Sequence, residues 1–265
     1  MSTQPMGPVV VGVDGSDASL VAVDLAAEEA AARVTPLTVV HACSTYASDA
    51  ASREGHARRL LAAAVDRARV EHPSLALTAV LVAGEPADAL AGSTVGASLL
   101  VLGHHGRRSG PRRTDSVTAQ LLGRVDIPVL IHRPFDAAAP AGTRPVVVGL
   151  ADPTTVDILL EFAFEAAAAR GAPLCAMHVR PPAIGDDTHA ADALAAAVDL
   201  WADKYPGVAV RRLLRHGVDV AVAITAVSHA AQLVVVGVQA ARTGTSVANA
   251  LLHRAGCPVA AVPLR

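Results

Sequence analysis

The 265 residues suffice for one large domain or two of ordinary size, each able to bury a core. A formal net charge of -2 leaves no general basic surface for nucleic acid and no polybasic membrane anchor. Hydrophobic residues reach 52% while aromatics reach only 2%, so the core must be built from Val, Leu, Ile and Ala, which favours close packing of helices on a sheet. No apolar stretch approaches the roughly 18 residues of a spanning helix. The opening MSTQPMGP lacks the basic and apolar regions of a secretory leader, so a cytoplasmic chain is the expectation. Cys43, Cys175 and Cys257 are odd in number, widely spaced and without a C-x-x-C, which points to buried structural thiols rather than a zinc site or disulfide framework.

In chain order, the β-branched run Val9 to Val13 reads as a strand, followed by a helix from about Ser16 to Ala32 capped by Ser16 or Asp17. A second strand, Leu37 to His41, leads through a polar segment to a helical stretch around His56 to Glu71. Strand Leu75 to Val82, helix Pro86 to Val95, strand Leu99 to Leu102, a loop, helix Ser116 to Arg124 and strand Val129 to His132 complete the series. Strands separated by helices imply a parallel sheet covered on both faces.

The series then repeats. PVVVGVDGSDAS from Pro8 returns as PVVVGLADPTTV from Pro145, and PLTVVHAC from Pro36 returns as PLCAMHVR from Pro173, both at an offset of 137 residues. Later matches, Gly84 with Gly217, Gly103 with Gly237 and Pro128 with Pro258, drift to offsets of 133, 134 and 130, as shortened loops would require. RPFDAAAPAGTRP between the copies reads as a linker. The expectation is an α/β chain of two tandem, Rossmann-like, five-stranded, mainly parallel sheets flanked by helices, with domains at residues 1–138 and 139–265. Phe162, Phe164, Trp201 and Tyr205 of copy two read as packing residues, with no chemical role.

Ligands of open α/β sheets sit beyond the carboxyl ends of the strands. Three segments of copy one lie there: Asp14-Gly15-Ser16, His41-Ala42 and Gly103 to Gly106. Glycines admit a close anion, Asp14 can accept from hydroxyl or amino groups, and Ser116 opens a helix whose free amides favour phosphate. Each feature has a plain structural explanation as a turn or cap; their joint placement after consecutive strands points to a binding crevice. His104 and His105 read as exposed loop residues rather than acid, base or metal ligands, and His41 and His178 as shapers of the sheet edge.

VVVGVDGS from Val9, VVHA from Val39, VAGEP from Val82, LLVLGHHG from Leu99 and DSVTAQLLGRVDIPVLIHR from Asp115 together resemble the universal stress protein family, over nearly the whole chain and twice. The resemblance implies the adenine nucleotide alpha hydrolase-like fold and two copies packed as a pseudo-twofold intramolecular dimer, with terminal strands Val129 to His132 and Val259 to Val262 meeting at its axis. A homodimer of chains is a further expectation. It implies ATP, with or without magnesium, as the ligand of copy one. Asp14 would meet the adenosine portion, and Ala42 would offer main-chain contacts to the adenine edge. Gly103 and Gly106 would admit ribose and phosphates, and Ser116 and Val117 would stand at the phosphate end.

The chain departs from the family's G-x-x-G, nine residues, G-S pattern: the spacer Arg107 to Thr114 is eight residues, and Asp115 replaces a glycine. A carboxylate a few ångströms from phosphates costs about 1 to 4 kcal/mol unless compensated, and Arg107, Arg108, Arg112, Arg113 or magnesium are the candidates to compensate it. Copy two departs further, with Ala151 at the position of Asp14, Ala240 in place of the second glycine, and only Ala241 to Gly244 before Thr245-Ser246. The expectation is a nucleotide-binding sensor or regulator of the stress response whose C-terminal copy binds no ATP and serves structurally. Its loop from Arg107 to Asp115 would be read by a regulatory protein. The alternatives are a scaffold that binds no nucleotide and an ATP-hydrolysing or adenylating enzyme. The absence of a P-loop, of an S-G-G-x-D-S pyrophosphate loop and of a paired nucleophile and base argues against the enzyme.

Overall fold

The computed structural model describes residues 6–43, 50–104, 116–133, 143–150, 157–180, 187–216, 219–239 and 247–264. The chain divides into two compact units, Met1–His132 and Arg133–Arg265.

Unit 1 runs β1 (Val9–Gly12), α1 (Asp17–Arg33), β2 (Leu37–Cys43), α2 (Ala50–Glu71), β3 (Leu77–Ala83), α3 (Pro86–Ser93), β4 (Leu99–Gly103), α4 (Val117–Leu121) and β5 (Val129–His132). Its strands lie in the order β3-β2-β1-β4-β5, and every neighbouring pair is parallel. Val9, Val11, Leu37, Val39, Leu99, Leu100 and Val101 are wholly buried, which requires cover on both faces. Helix α1 supplies part of it with Ala22, Val23, Ala26 and Ala30 at helical spacing, small side chains that let the helix lie close to the strands. Burying each Val or Leu of this core contributes roughly 1.5 to 3 kcal/mol.

Unit 2 repeats the plan with β6 (Val146–Leu150), α5 (Asp157–Ala169), β7 (Leu174–Arg180), α6 (Asp187–Ala202), β8 (Val210–His216), α7 (Val220–Ser228), β9 (Leu233–Gln239), α8 (Val247–Arg254) and β10 (Val259–Leu264). Its order is β8-β7-β6-β9-β10, again all parallel. The aromatics pack as expected: Phe164 is fully buried and stacks on Tyr205 at 5.6 Å, and the indole N–H of Trp201 donates to Asp157 at 3.3 Å. The copies differ in one turn. Helix α1 ends on Val34 in the left-handed conformation, φ 54°, whereas the matching position after α5 is Gly171, φ 56°, the residue that adopts it without strain.

Some boundaries differ from the sequence-based expectation. Helix α2 begins at Ala50, because Ala, Arg and Glu continue its helical preference back from His56. Strand β3 begins at Leu77, since Leu75 closes a turn on His72. Helix α4 stops at Leu121, where Leu122 turns extended and Gly123 takes a positive φ.

Candidate functional site

In unit 1 the strand order reverses between β1 and β4: the chain moves outward through β2 and β3, then returns to lay β4 and β5 on the other side. A crevice at the carboxyl ends of the strands opens at such a reversal. Asp14 stands at the end of β1 and Gly103 closes β4, so the first and third expected segments flank this point.

The turn after β1 is held by side chains. The Asp14 carboxylate accepts from the Ser16 amide at 3.0 Å and from the Ser16 hydroxyl at 2.6 Å. Ser16 caps α1 by accepting from the Ser19 amide at 3.2 Å. Ser19, buried, donates its hydroxyl to Ser16 O at 2.8 Å and accepts from the Asp14 amide at 3.3 Å. Asp14 is thus half-buried and fixed in direction by its own turn, at a net gain of about 1 kcal/mol per bond. Ser19 went unnoticed in the sequence because its partners are set by the turn geometry.

Strand β2 outruns β1. Gly12, the last ladder residue of β1, pairs with Val40, and the Val13 amide donates to Val40 O at 2.9 Å. The next group in that ladder would be the Ala42 amide, directed at Val13 O. His41 intervenes: its Nδ1–H donates to Val13 O at 2.7 Å. Leu37 N bonds Ala76 O and Cys43 O accepts from Gly84 N, so odd-numbered residues of β2 point their backbone at β3 and even-numbered ones at β1. Ala42 therefore directs an N–H and a C=O past the end of β1, where no described strand stands opposite.

Gly103 has a packing role. A Cβ there would meet the Ala18 carbonyl carbon at 2.8 Å and oxygen at 2.9 Å, so its absence lets the first turn of α1 lie against the end of β4. Thr118 of α4, buried, donates its hydroxyl to Gly103 O at 3.4 Å and ties α4 to the same strand end. Ser116 caps α4, accepting from the Ala119 amide at 3.1 Å, and Val117 is the first helical residue. The helix is only five residues long, so its dipole is small and Ser116 and Val117 act through individual donors. His104 sets its ring edge-on to His132, with centroids 6.4 Å apart. Gly106, His105, Asp115 and the four loop arginines lie outside the described residues. Among the described residues no cluster of His, Cys, Asp or Glu could hold a metal ion, and no helix is long and apolar enough to cross a membrane.

Unit 2 keeps the strand-end contact and changes its surroundings. His178 Nδ1–H donates to Leu150 O at 2.8 Å, the equivalent of the His41 contact. The next residue is Val179, only 6% exposed, where unit 1 has half-buried Ala42. A Cβ on Gly237, the counterpart of Gly103, would meet the Leu264 side chain rather than a helix backbone. Ala151, Ala240 and Thr245-Ser246 lie outside the described residues.

Comparison with known proteins gives a consistent result. The model of the universal stress protein family matches the chain twice, over residues 6–133 and 142–263. Universal stress protein Rv2005c of Mycobacterium tuberculosis is 32% identical, with 95% of each chain covered. Universal stress protein Rv2623 of the same organism is 29% identical, with 86% of this chain and 85% of that one covered. A universal stress protein of Archaeoglobus fulgidus of known structure superimposes with a TM-score of 0.78 at 19% identity, over 97% of this chain and 96% of that one, which is a likeness of fold.

Proposed function

The chain belongs to the universal stress protein family as a two-copy member, and from that premise we propose that it is an adenine-nucleotide-binding regulator of the stress response whose N-terminal copy holds ATP. The observation that carries this reading is the Ala42 main chain: one donor and one acceptor, side by side at the crevice, lying past the end of β1, where His41 already bonds the Val13 carbonyl. Such a pair complements the adenine edge, which offers a ring-nitrogen acceptor beside an amino donor.

Around that anchor Asp14 meets the adenosine hydroxyl or amino groups, its direction fixed by Ser16. Gly103 keeps the floor of the crevice low by admitting α1, and Gly106 gives the loop backbone access to the phosphates. Ser116 and Val117 offer a hydroxyl and an amide at the phosphate end. Magnesium, when bound with ATP, neutralises phosphate charge beside Asp115. Arg107, Arg108, Arg112 and Arg113 supply further positive charge, and a regulatory protein reads the loop they ride on. The reading is of a binding protein, with residues that orient a ligand rather than transform it. The C-terminal copy binds no ATP: Ala151 offers no carboxylate, and Ala240 hinders close approach to the loop backbone. It serves as the structural partner of the first.

Ala42→Pro tests the anchor. It deletes only an N–H that faces the crevice, leaving the β2 ladder whole. ATP affinity measured by calorimetry is expected to fall by about tenfold or more, the worth of one buried hydrogen bond, while Ala42→Gly binds as wild type. Unchanged affinity in Ala42→Pro would contradict the proposal.

A further inference from the structure

Strand β3 is the free edge of unit 1 among the described residues. Its even-numbered residues bond β2, as Ala76 O and Gly84 N show, so Leu77, Ala79, Leu81 and Ala83 present their N–H and C=O groups outward. The strand reads LTAVLVA, seven residues without charge, proline or glycine, and none of them is buried. An edge of this kind is an open template for strand pairing. The duplicate copy supplies a control. Strand β8 holds the matching edge of unit 2 with the same pattern of exposure at six of seven positions, yet reads VRRLLRH and exposes Arg211, Arg212 and Arg215. Ala79 and Arg212 occupy one register, opposite Val39 and Ala176 of the neighbouring strands. One edge is guarded by charge and the other is not.

Above the unguarded edge runs a groove of about 420 Å³, large enough to take the side chains of a facing element. Its walls are one stripe of α2, from Arg58 through Leu61, Val65 and Asp66 to Arg69, and the outward-bonding residues Ala79 and Leu81. We infer that two copies of the chain join here, β3 to β3, antiparallel about a twofold axis, with their α2 helices packed side by side over the seam.

A second copy fits better than a lone peptide strand for a geometric reason. Helix α2 contacts β2 and β3 equally, so its axis lies over the gap between them. Adding a mate's β3 at the normal strand separation sets the two α2 axes two strand spacings apart, about 10 Å. That is the distance at which helices pack, so Ala62 and Val65, the accessible apolar residues of the α2 stripe, face the groove of the other copy. A peptide strand would satisfy the edge and leave the groove empty. The uncharged β3 repels nothing when it faces itself, whereas β8 would set arginines against arginines.

Sedimentation velocity of the full chain over a wide concentration range tests this. Wild type is expected to show a reversible monomer–dimer equilibrium. Ala79→Pro removes an outward N–H without touching the β2 ladder, and Ala79→Arg gives β3 the residue that stands in β8. Each should weaken association by about tenfold or more, with unchanged far-ultraviolet circular dichroism. Should the proline variant lose its fold, the arginine variant decides, since position 79 is exposed. Wild type that stays monomeric throughout, or an arginine variant that dimerises as tightly as wild type, would overturn the inference.

Discussion

His41 and His178 each use Nδ1–H to hold the carbonyl at the end of the first strand of their copy, at 2.7 and 2.8 Å. Replacing either by Ala strands a half-buried or buried carbonyl and should cost about 1 to 3 kcal/mol in urea unfolding. Asn, whose amide nitrogen can reach the same place, should recover part of that loss. Equal stability of the Ala variants and wild type would contradict the assignment. Their repetition at an offset of 137 was visible in the sequence, as was the placement of Asp14 just beyond a strand; Ala42, expected after the second strand, lies within β2, which runs on to Cys43. What the imidazole bonds was not visible, because the partner lies on another strand. Cys257 is a second case. Burial pushes its thiol up to about 12, against a smaller opposite pull from Arg133 and Arg144. An unfolded thiol ionises near pH 8.5, so its contribution is complete below that pH and is lost as pH rises toward 12, at about 1.4 kcal/mol per pH unit. Wild type should therefore lose its stability lead over Cys257→Ala between pH 8 and 11; a lead independent of pH would refute this.

At the scale of elements, the two equivalent glycines near the ends of β4 and β9 do different work. A methyl on Gly103 meets the Ala18 backbone, which moves only with helix α1, while a methyl on Gly237 meets the Leu264 side chain, which can rotate. Gly103→Ala should cost about 1 to 3 kcal/mol in chemical denaturation, and Gly237→Ala clearly less; the reverse order would refute the packing role. It follows that bulky substitutions at Gly103 disturb the crevice through the fold and make poor probes of ligand contact. The strands and their parallel sense were legible from β-branched runs separated by helical periods, and Gly103 stood out as a glycine after a strand. Its reason was not legible, since nothing local announces that α1 crosses there. Helix ends shifted for the same kind of cause: α4 stops at Leu121 through the backbone of Leu122 and Gly123, while its apolar pattern runs on.

For the whole molecule, the duplication was written in the sequence as ordered matches at offsets of 137 falling to 130, and the two units repeat one strand order. The proposed functional asymmetry rests on few positions: Asp14 against Ala151 and Gly106 against Ala240. Ala42 was picked out in the sequence through the family resemblance; its replacement by the more buried Val179 was not. The central claim is one nucleotide site per chain, in the first copy. Its most direct test is calorimetric titration of the full chain with ATP, with and without magnesium, beside Asp14→Ala, Asp14→Asn and Asp115→Gly. The account predicts about one ATP per chain. Affinity should fall by about tenfold or more in Asp14→Ala, fall less in Asp14→Asn, which keeps the turn, and rise in Asp115→Gly as a like charge is removed. Two sites per chain, binding indifferent to Asp14, or no binding in wild type and Asp115→Gly alike would contradict it.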